Sequence, residues 1–260
     1  MEPDSNRLIA IDAGVIAVVS IAICLASTNL VFMTILVPAI IIARMLVLAA
    51  VAREEGVSMR AELLFFALCT ALGAFNDWNS VSNKRIYDYT VPDFFSPPSI
   101  PFWMLLYWGM ILRFVARLAR WGALGPDKEV SNAVGINGLG LGGPAARIPA
   151  EIALIAATRW AIYRWYLDPV LSWLPFLVAL VVFFLFFRPT RHDLKLACVF
   201  IIGGPAIEML YIHFGDLHRY HLGWIGGVPL WIVFWWVLAV LIWKDLAFRI
   251  EKGVRTLLRA

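Results

Sequence analysis

Eight apolar stretches, each long enough to cross the roughly 30 Å of hydrocarbon in a lipid bilayer, dominate this sequence. They lie near residues 9–27, 30–51, 61–78, 101–121, 149–167, 170–188, 193–213 and 227–248. Hydrophobic residues make up 62% of the chain and charged residues 15%. An ordinary soluble domain carries about 25% charged residues. The sequence therefore predicts an all-α integral membrane protein with about eight transmembrane helices.

The basic residues at the ends of these stretches and between them predict the orientation of the chain. Three of them, Lys84, Arg85 and Arg219, fall in loops on one side. The other side holds Arg53, Arg60, Arg117, Arg120, Lys128, Arg147, Arg188, Arg191, Lys195, Lys244, Arg249, Lys252 and Arg255. Because cytoplasmic loops are enriched in Lys and Arg, we expect a multi-pass protein of the cytoplasmic (inner) membrane with both termini in the cytoplasm. No basic segment precedes the first apolar run, so we expect a transmembrane helix there rather than a cleaved signal peptide.

The two halves of the chain match each other at a fixed offset of 131 residues. The matching positions are residues 60–63 with 191–194, Gly73 with Gly204, Asp77 with Glu208, and Tyr89 with Tyr220. After a three-residue gap, Pro101, Trp103 and Trp108 match Pro229, Trp231 and Trp236. Repeats of four helices insert in the same orientation, so we expect two parallel repeats related by an axis along the membrane normal. The predicted domains are 1–121 and 149–260, joined by a cytoplasmic linker, 122–148.

The linker contains a Gly-rich run, residues 138–144, that superficially resembles a phosphate-binding loop. No strand precedes this run and no Gly-Lys-Ser/Thr ending follows it, so the nucleotide-binding interpretation fails. A flexible connection is the better interpretation. The net charge of +4 does not indicate a nucleic-acid partner either, since membrane topology explains the basic residues.

Two carboxylates, Asp77 and Glu208, lie within apolar stretches near the outer third of the membrane. An ionisable group inside a span is energetically costly and marks a functional site by default. In a pseudo-twofold arrangement we expect Asp77 and Glu208 to face each other across a central cavity, where one acts as an acid and the other as a base. The alternative is that each caps a helix end or pairs with Arg85 or Arg219. A further charge in a span, Arg44, is expected to snorkel to the inner interface.

Aromatic residues accompany both carboxylates and are candidates for substrate binding. They are Tyr89, Trp103 and Trp108 in the first half, and Tyr220, Trp231 and Trp235 in the second. Aromatic faces beside a carboxylic acid suit a carbocation, which gains cation–π stabilisation. An interfacial aromatic belt and ordinary core packing are the alternatives.

Three histidines, His213, His218 and His221, follow Glu208 closely and raise the possibility of a metal site with Asp216. Their spacing matches no zinc signature, and the chain has too few histidines for a membrane di-iron centre. We therefore predict neither a metal nor a cofactor. The histidines are expected to hydrogen-bond to Glu208 or to headgroups, and His218 is a candidate proton shuttle in catalysis.

Part of the second half resembles the membrane-embedded carotenoid biosynthesis proteins of the carotenoid hydratase type. The resemblance is carried by Glu208, Gly215, Tyr220 and Trp236, together with the Gly-Val-Pro-Leu-Trp-Ile run at residues 227–232. The chain departs from that pattern around His218 and Arg219. The resemblance implies acid-catalysed addition of water to the end of an isoprenoid chain, with Glu208 as the acid. Asp77 is not part of the resemblance and is a candidate only because the internal repeat aligns it with Glu208.

These features predict a membrane enzyme, a lyase or isomerase, acting on an isoprenoid or carotenoid-like substrate that enters laterally from the bilayer. Glu208 would protonate a C=C bond, and Asp77 or His218 would activate water or remove a proton, giving hydration, cyclisation or isomerisation. Two other hypotheses stay open. The chain would alternatively be a proton-coupled transporter of a small molecule, or a non-catalytic accessory subunit of a membrane complex. The sequence makes no prediction of the oligomeric state.

Overall fold

The structure, a computed structural model, describes residues 5–91, 100–124, 144–187 and 189–258, with the side chains of residues 144–146 left out. It is about 77% helical. Within the described residues it contains eight α-helices: α1 (Asn6–Ala26), α2 (Leu30–Val51), α3 (Met59–Trp78), α4 (Phe102–Leu118), α5 (Pro144–Trp165), α6 (Leu174–Phe187), α7 (Arg191–His213) and α8 (Leu230–Leu257). Each predicted apolar stretch coincides with one of these helices, and the all-α membrane class is confirmed.

Five of these helices are long and apolar enough to cross a membrane, judged over the described part of the chain. They are α1, α2, α3 with the π-helical turn that continues it to Asn83, α7 and α8. The other three fall short for identifiable reasons. Helix α4 has 17 residues and α6 has 14, while α5 carries charges along its length. Five helices, rather than the predicted eight, meet the criterion for a span.

The chain packs as two compact units. Unit 1 comprises Met1–Gly122, Met209–Arg219 and Ala247–Ala260. Unit 2 comprises Ala123–Glu208 and Tyr220–Leu246. The final turns of α7 and α8 thus belong to unit 1. The predicted linker lies mostly outside the described residues, and the predicted domains 1–121 and 149–260 stay a prediction.

Polar residues immediately before three helices of unit 1 explain where those helices begin. Ser5 precedes α1, Asn29 precedes α2 and Ser58 precedes α3. Each side-chain oxygen accepts a hydrogen bond from a backbone N–H in the first turn, at 3.2, 3.1 and 3.4 Å respectively. These bonds satisfy donors that have no partner within the helix.

Helices α3 and α4 pack closely in unit 1 because glycines lie at their contacts. A Cβ atom added to Gly73 would lie 2.7 Å from the Cβ of Trp108, and one added to Gly109 would lie 2.0 Å from the hydroxyl oxygen of Thr70. Trp103, fully buried on α4, contributes to the core beside this contact. The close approach of the two helices positions the carboxylate at the end of α3.

Stacked aromatic side chains hold the helices of unit 2 together. Phe176 of α6 stacks on Trp231 of α8, with ring centroids 5.9 Å apart, and Phe200 of α7 stacks on Trp236 at the same distance. Trp236 also lies directly against Gly204 of α7. Aromatic stacking of this kind adds to the stabilisation that comes from buried area.

Two short strands follow α3 and α7. They are β1 (Tyr87–Tyr89) and β2 (His218–Tyr220), and they pair in a two-stranded sheet. Two residues before each strand, Arg85 and Asp216 adopt positive φ angles of 50° and 44°. This conformation is uncommon for a non-glycine residue, and its recurrence shows that the two strands are entered through similar turns.

The contact between Gly204 and Trp236 leads to a testable prediction. Gly204→Ala should destabilise the protein by about 1–3 kcal/mol through overpacking, because the new Cβ atom would lie 2.3 Å from the indole of Trp236. Gly203→Ala is the matched control, since no atom lies within 4 Å of the added Cβ atom. That change should be neutral or stabilising by up to about 1 kcal/mol, because alanine is the better helix former. Thermal unfolding in one detergent measures both, and equal midpoints would contradict the close contact.

Candidate functional site

Asp77 lies at the end of α3 in unit 1 and is completely buried. Its carboxylate accepts hydrogen bonds from the hydroxyls of Tyr87 and Tyr89, and the Tyr89 bond is 2.8 Å long. Both hydroxyls reach one carboxylate because alternate residues of a strand project to the same face, and strand β1 supplies both tyrosines. Trp108 lies beside the same carboxylate. Asp77 is therefore held by donors on neighbouring elements of its own unit.

His218 joins the Asp77 cluster in unit 1. Its buried ring meets the rings of Tyr87 and Tyr89 edge-on, with centroids 5.7 and 6.1 Å away. Pairing of β2 with β1 brings the imidazole to the tyrosines that bind Asp77. The expected hydrogen bonding of the histidines to Glu208 or to headgroups stays a prediction.

The other two histidines of this region are exposed. His213 ends α7, and His221 lies after β2, where its ring packs at 5.7 Å from that of Tyr166. Over the part of the chain that the structure describes, no three His, Cys, Asp or Glu side chains come together in a group that would hold a metal ion.

Glu208 belongs to unit 2, on α7, and is 8% exposed. Its carboxylate accepts a hydrogen bond of 3.2 Å from the hydroxyl of Tyr220. The ring of Tyr220 meets Trp231 edge-on at 5.7 Å, and Trp231 in turn stacks on Phe176. The carboxyl group of Glu208 thus lies beside the hydroxyl of Tyr220, whose ring belongs to a row of aromatic side chains in contact with one another.

The two carboxylates therefore have different surroundings. Asp77 is 0% exposed and accepts bonds from two tyrosines, whereas Glu208 is 8% exposed and accepts a longer bond from Tyr220. The predicted meeting of Asp77 and Glu208 across a central cavity stays a prediction.

Of the four tryptophans predicted to bind substrate, three are buried and the fourth lies beside an arginine. Trp103, Trp108 and Trp231 are buried. Trp235 is half-buried, and the guanidinium of Arg159 lies 5.7 Å from the centroid of its ring. A ring face covered by an arginine is not free to stabilise a carbocation. Trp235 is thus a weaker candidate than Trp231, which lies beside Tyr220.

A buried network of five charged residues in unit 1 was missed by the sequence analysis. It comprises Asp12, Arg44, Glu62, Arg113 and Arg117, none more than 5% exposed. Arg113 binds Glu62 with two nitrogens, at 2.9 and 2.7 Å. Arg44 bridges Asp12 at 2.7 Å and Glu62 at 2.6 Å, and Arg117 contacts both carboxylates at 3.2 Å.

This network corrects one prediction. Arg44 does not snorkel to the interface, because its side chain is fully buried and paired with Asp12 and Glu62 inside the unit. The available signal was a charged residue inside each of the apolar helices α1, α2 and α3, namely Asp12, Arg44 and Glu62, with Arg113 and Arg117 four residues apart on one face of α4. Charges on four consecutive apolar helices indicate mutual pairing better than independent snorkelling.

Unit 2 contains a second buried network, formed by Arg147, Glu151, Asp193, Lys244 and Asp245. Arg147 contacts Glu151 at 2.7 Å and Asp245 at 2.5 Å, and Lys244 contacts Asp193 at 2.6 Å. Lys244, which was predicted near the cytoplasmic end of the last apolar stretch, is 7% exposed. Asp193 also accepts a bond of 2.7 Å from the backbone N–H of Thr190, in a capping box that starts α7.

Three hydroxyl groups form a further polar cluster in unit 1 that the sequence analysis did not identify. Ser20 of α1, Tyr107 of α4 and Tyr211 at the end of α7 lie 2.7–3.0 Å from one another. All three are buried, and Tyr107 also donates to the backbone oxygen of Ile16 at 3.3 Å. This cluster ties the three helices together within apolar surroundings, where such bonds have little competition from water.

Comparison of the chain with protein-family models, with curated proteins and with solved structures gives no match. The function is therefore argued from the residues of this chain.

Proposed function

We propose that this protein is a polytopic membrane enzyme that acts on a lipophilic, isoprenoid or carotenoid-like substrate by protonating a C=C bond with the carboxyl group of Glu208. The observation that carries the proposal is the arrangement of Glu208, Tyr220 and Trp231. It combines an acid within an apolar helix, a hydroxyl 3.2 Å away, and an aromatic ring behind that hydroxyl. The resemblance of this region to carotenoid hydratase-type proteins supports the choice of an isoprenoid substrate.

The chemistry requires few groups. The Glu208 carboxyl donates its proton to one alkene carbon, and the π electrons form the new C–H bond, leaving a cation on the other carbon. Aromatic rings stabilise that cation. A water molecule then attacks the cation and returns a proton to the Glu208 carboxylate, so that alkene and water give an alcohol. Loss of a neighbouring C–H proton to the same carboxylate gives isomerisation instead.

Glu208 takes the main catalytic role in this proposal, and Asp77 takes a supporting one. Asp77 is completely buried and bound by Tyr87 and Tyr89, which favours a role in holding β1 against α3. His218 packs on the same tyrosines and is assigned to that cluster. Tyr220 orients the Glu208 carboxyl.

We also propose that the chain contains eight spans in two parallel four-helix repeats. Equivalent features recur at the offset of 131: the turns at Arg85 and Asp216, and the strands that follow them. The carboxylate–tyrosine bonds Asp77–Tyr89 and Glu208–Tyr220 recur at the same offset. The contacts of Gly73 with Trp108 and of Gly204 with Trp236 are likewise equivalent.

The helices that fail the apolar criterion are compatible with eight spans. The arginines of α4 are paired with carboxylates inside unit 1. This pairing lowers the cost of placing them in the membrane, which the mean hydropathy of the helix does not take into account. The distribution of basic residues supports an orientation with both termini in the cytoplasm.

The test is the lipid and pigment profile of cells that express the protein or lack it. Cells with the wild-type protein should convert an isoprenoid alkene into a product that is more polar or has a shifted double bond. Cells with Glu208→Gln should accumulate the alkene, although the variant stays folded in the membrane. If extracted lipids are identical in wild type, the Glu208→Gln variant and the deletion strain, the enzyme proposal is wrong.

A proton-coupled carrier is the second candidate, favoured by the buried carboxylates within predicted spans of both units. The carrier proposal predicts uptake of a solute that depends on a proton gradient and is lost in Glu208→Gln. In that case the lipid profile would not change. Vesicles that contain the purified protein, with an imposed pH difference, distinguish the two functions.

A further inference from the structure

The buried charge network of unit 1 contains more basic than acidic side chains. Its members are Asp12, Arg44, Glu62, Arg113 and Arg117, all of them buried. Three guanidiniums face two carboxylates there, so the network carries one excess positive charge. A net charge buried among apolar helices is costly unless another charge compensates for it. The network therefore favours an additional anion.

One donor of this network is not satisfied by the described residues. Arg113 uses Nε and Nη2 to bind Glu62, and its guanidinium lies 5.3 Å from the centroid of the Phe65 ring. Its third nitrogen, Nη1, is buried and makes no hydrogen bond to any described residue. Most buried side-chain nitrogens have a hydrogen-bond partner. The two carboxylates thus leave the excess positive charge without compensation.

A second basic group continues the network to the surface of unit 1. Arg120 follows the end of α4, and its backbone N–H donates to the carbonyl oxygen of Arg117 at 3.0 Å. The guanidiniums of Arg120 and Arg255 both bind Glu251, and the Arg255 bond is 2.8 Å long. The side chain of Arg120 is 11% exposed and that of Arg255 is 40% exposed. Two guanidiniums on one carboxylate raise the excess to two positive charges, and Arg255 brings this charge to the surface.

Arg255 resembles Arg113 in a second respect, since its Nε is also buried and makes no hydrogen bond within the described part of the chain. The two arginines lie toward the ends of α4 and α8, and both of these ends are cytoplasmic in the orientation proposed above. Headgroups of the inner leaflet lie at this level. Basic pockets between helices on the cytoplasmic side bind the phosphate groups of anionic lipids.

We infer that the group formed by Arg120, Glu251 and Arg255 binds a phosphate group, and that an anionic phospholipid of the inner leaflet supplies it. Arginine suits this ligand because its planar N–H donors match the oxygens of a phosphate. Arg255 contacts the phosphate because it is the most exposed member of the group, and Arg113 contributes through its charge. The inference uses the proposed orientation and is independent of the chemistry proposed for Glu208.

Native mass spectrometry of the purified, delipidated full-length protein in detergent tests the site. The wild type should bind phosphatidylglycerol, which is anionic, in preference to phosphatidylcholine, which is zwitterionic. Arg255→Gln should weaken the binding of phosphatidylglycerol roughly ten-fold, the usual loss for a hydrogen bond to a charged group. Lys252→Gln is the matched control, because it removes the same charge from an exposed residue of the same helix end, and binding should survive that change.

Inorganic phosphate distinguishes the source of the phosphate group. A ligand that binds only the folded protein raises its unfolding midpoint. Phosphatidylglycerol should therefore raise the midpoint of the wild type, whereas inorganic phosphate at the same concentration should not. Equal shifts with the two ligands would overturn the assignment to a lipid.

Two further results would overturn the inference. One is equal binding of phosphatidylglycerol and phosphatidylcholine by the wild type, and the other is undiminished binding of phosphatidylglycerol by folded Arg255→Gln. If the Gln variant does not fold, Arg255→Lys replaces it. Lysine keeps the charge but lacks the planar pair of donors, so binding should still weaken, and unchanged binding would contradict the site.

Discussion

Glu62→Gln should destabilise the protein by about 3–5 kcal/mol, the cost typical of removing one partner from a buried ion pair. Glu62 binds Arg44 at 2.6 Å and Arg113 at 2.7 Å, and all three side chains are buried. Without this negative charge, Arg44, Arg113 and Arg117 would each lose an ion pair, and Arg44 and Arg117 would keep their pairs with Asp12. Chemical unfolding of the purified protein, followed by circular dichroism, measures the loss.

A surface pair provides the control for this prediction. Glu54 contacts Arg7 at 2.7 Å, but the side chains are 70% and 53% exposed, so Glu54→Gln should change stability little. The double variant Glu62→Gln/Arg113→Met removes one charge of each sign and should recover part of the lost stability. If Glu62→Gln is as stable as Glu54→Gln, the buried network does not stabilise unit 1.

Glu208→Gln should lower turnover of the isoprenoid substrate by about 10²–10⁴-fold, the usual contribution of general acid–base catalysis. Glutamine keeps the size of the side chain and its contact with Tyr220, but it has no proton to donate to an alkene. Stability should change less than in Glu62→Gln, because glutamine can still accept the hydrogen bond from Tyr220. Turnover is measured with the purified protein in lipid nanodiscs, with stability measured on the same samples.

Two further variants separate catalysis from support. Tyr220→Phe should reduce turnover less than Glu208→Gln, since it removes a hydrogen bond and leaves the acid. Asp77→Asn should lower stability through its weaker bonds to Tyr87 and Tyr89, while the folded fraction retains turnover. Full turnover in Glu208→Gln combined with none in folded Asp77→Asn would reverse the two roles.

The helices were the part of the fold that sequence predicted best. Each of the eight apolar stretches coincides with a helix, and α2 and α3 were predicted to within two residues at both ends. The reason is physical, because a chain in hydrocarbon must satisfy its backbone hydrogen bonds within each segment. An apolar run therefore specifies its own secondary structure without information from the rest of the chain.

The partners of polar side chains were not predictable in this way. Arg44 contacts Asp12 and Glu62, which are 32 and 18 residues away in sequence. His218 packs on Tyr87 and Tyr89, which are 131 and 129 residues away in sequence. Such pairings depend on which helix faces meet and on the pairing of β1 with β2, and no local pattern contains that information.

The sequence by itself determined the positions of the helices, the membrane class, and the carboxylates and aromatic residues that match between the halves. Tertiary packing decided what those residues touch. It buried Asp77 beneath two tyrosines, placed the Glu208 carboxylate beside Tyr220, and placed Arg159 over the ring of Trp235. Residue types that look equivalent in sequence acquire different chemistry because burial and hydrogen-bond donors are set by elements distant in the chain.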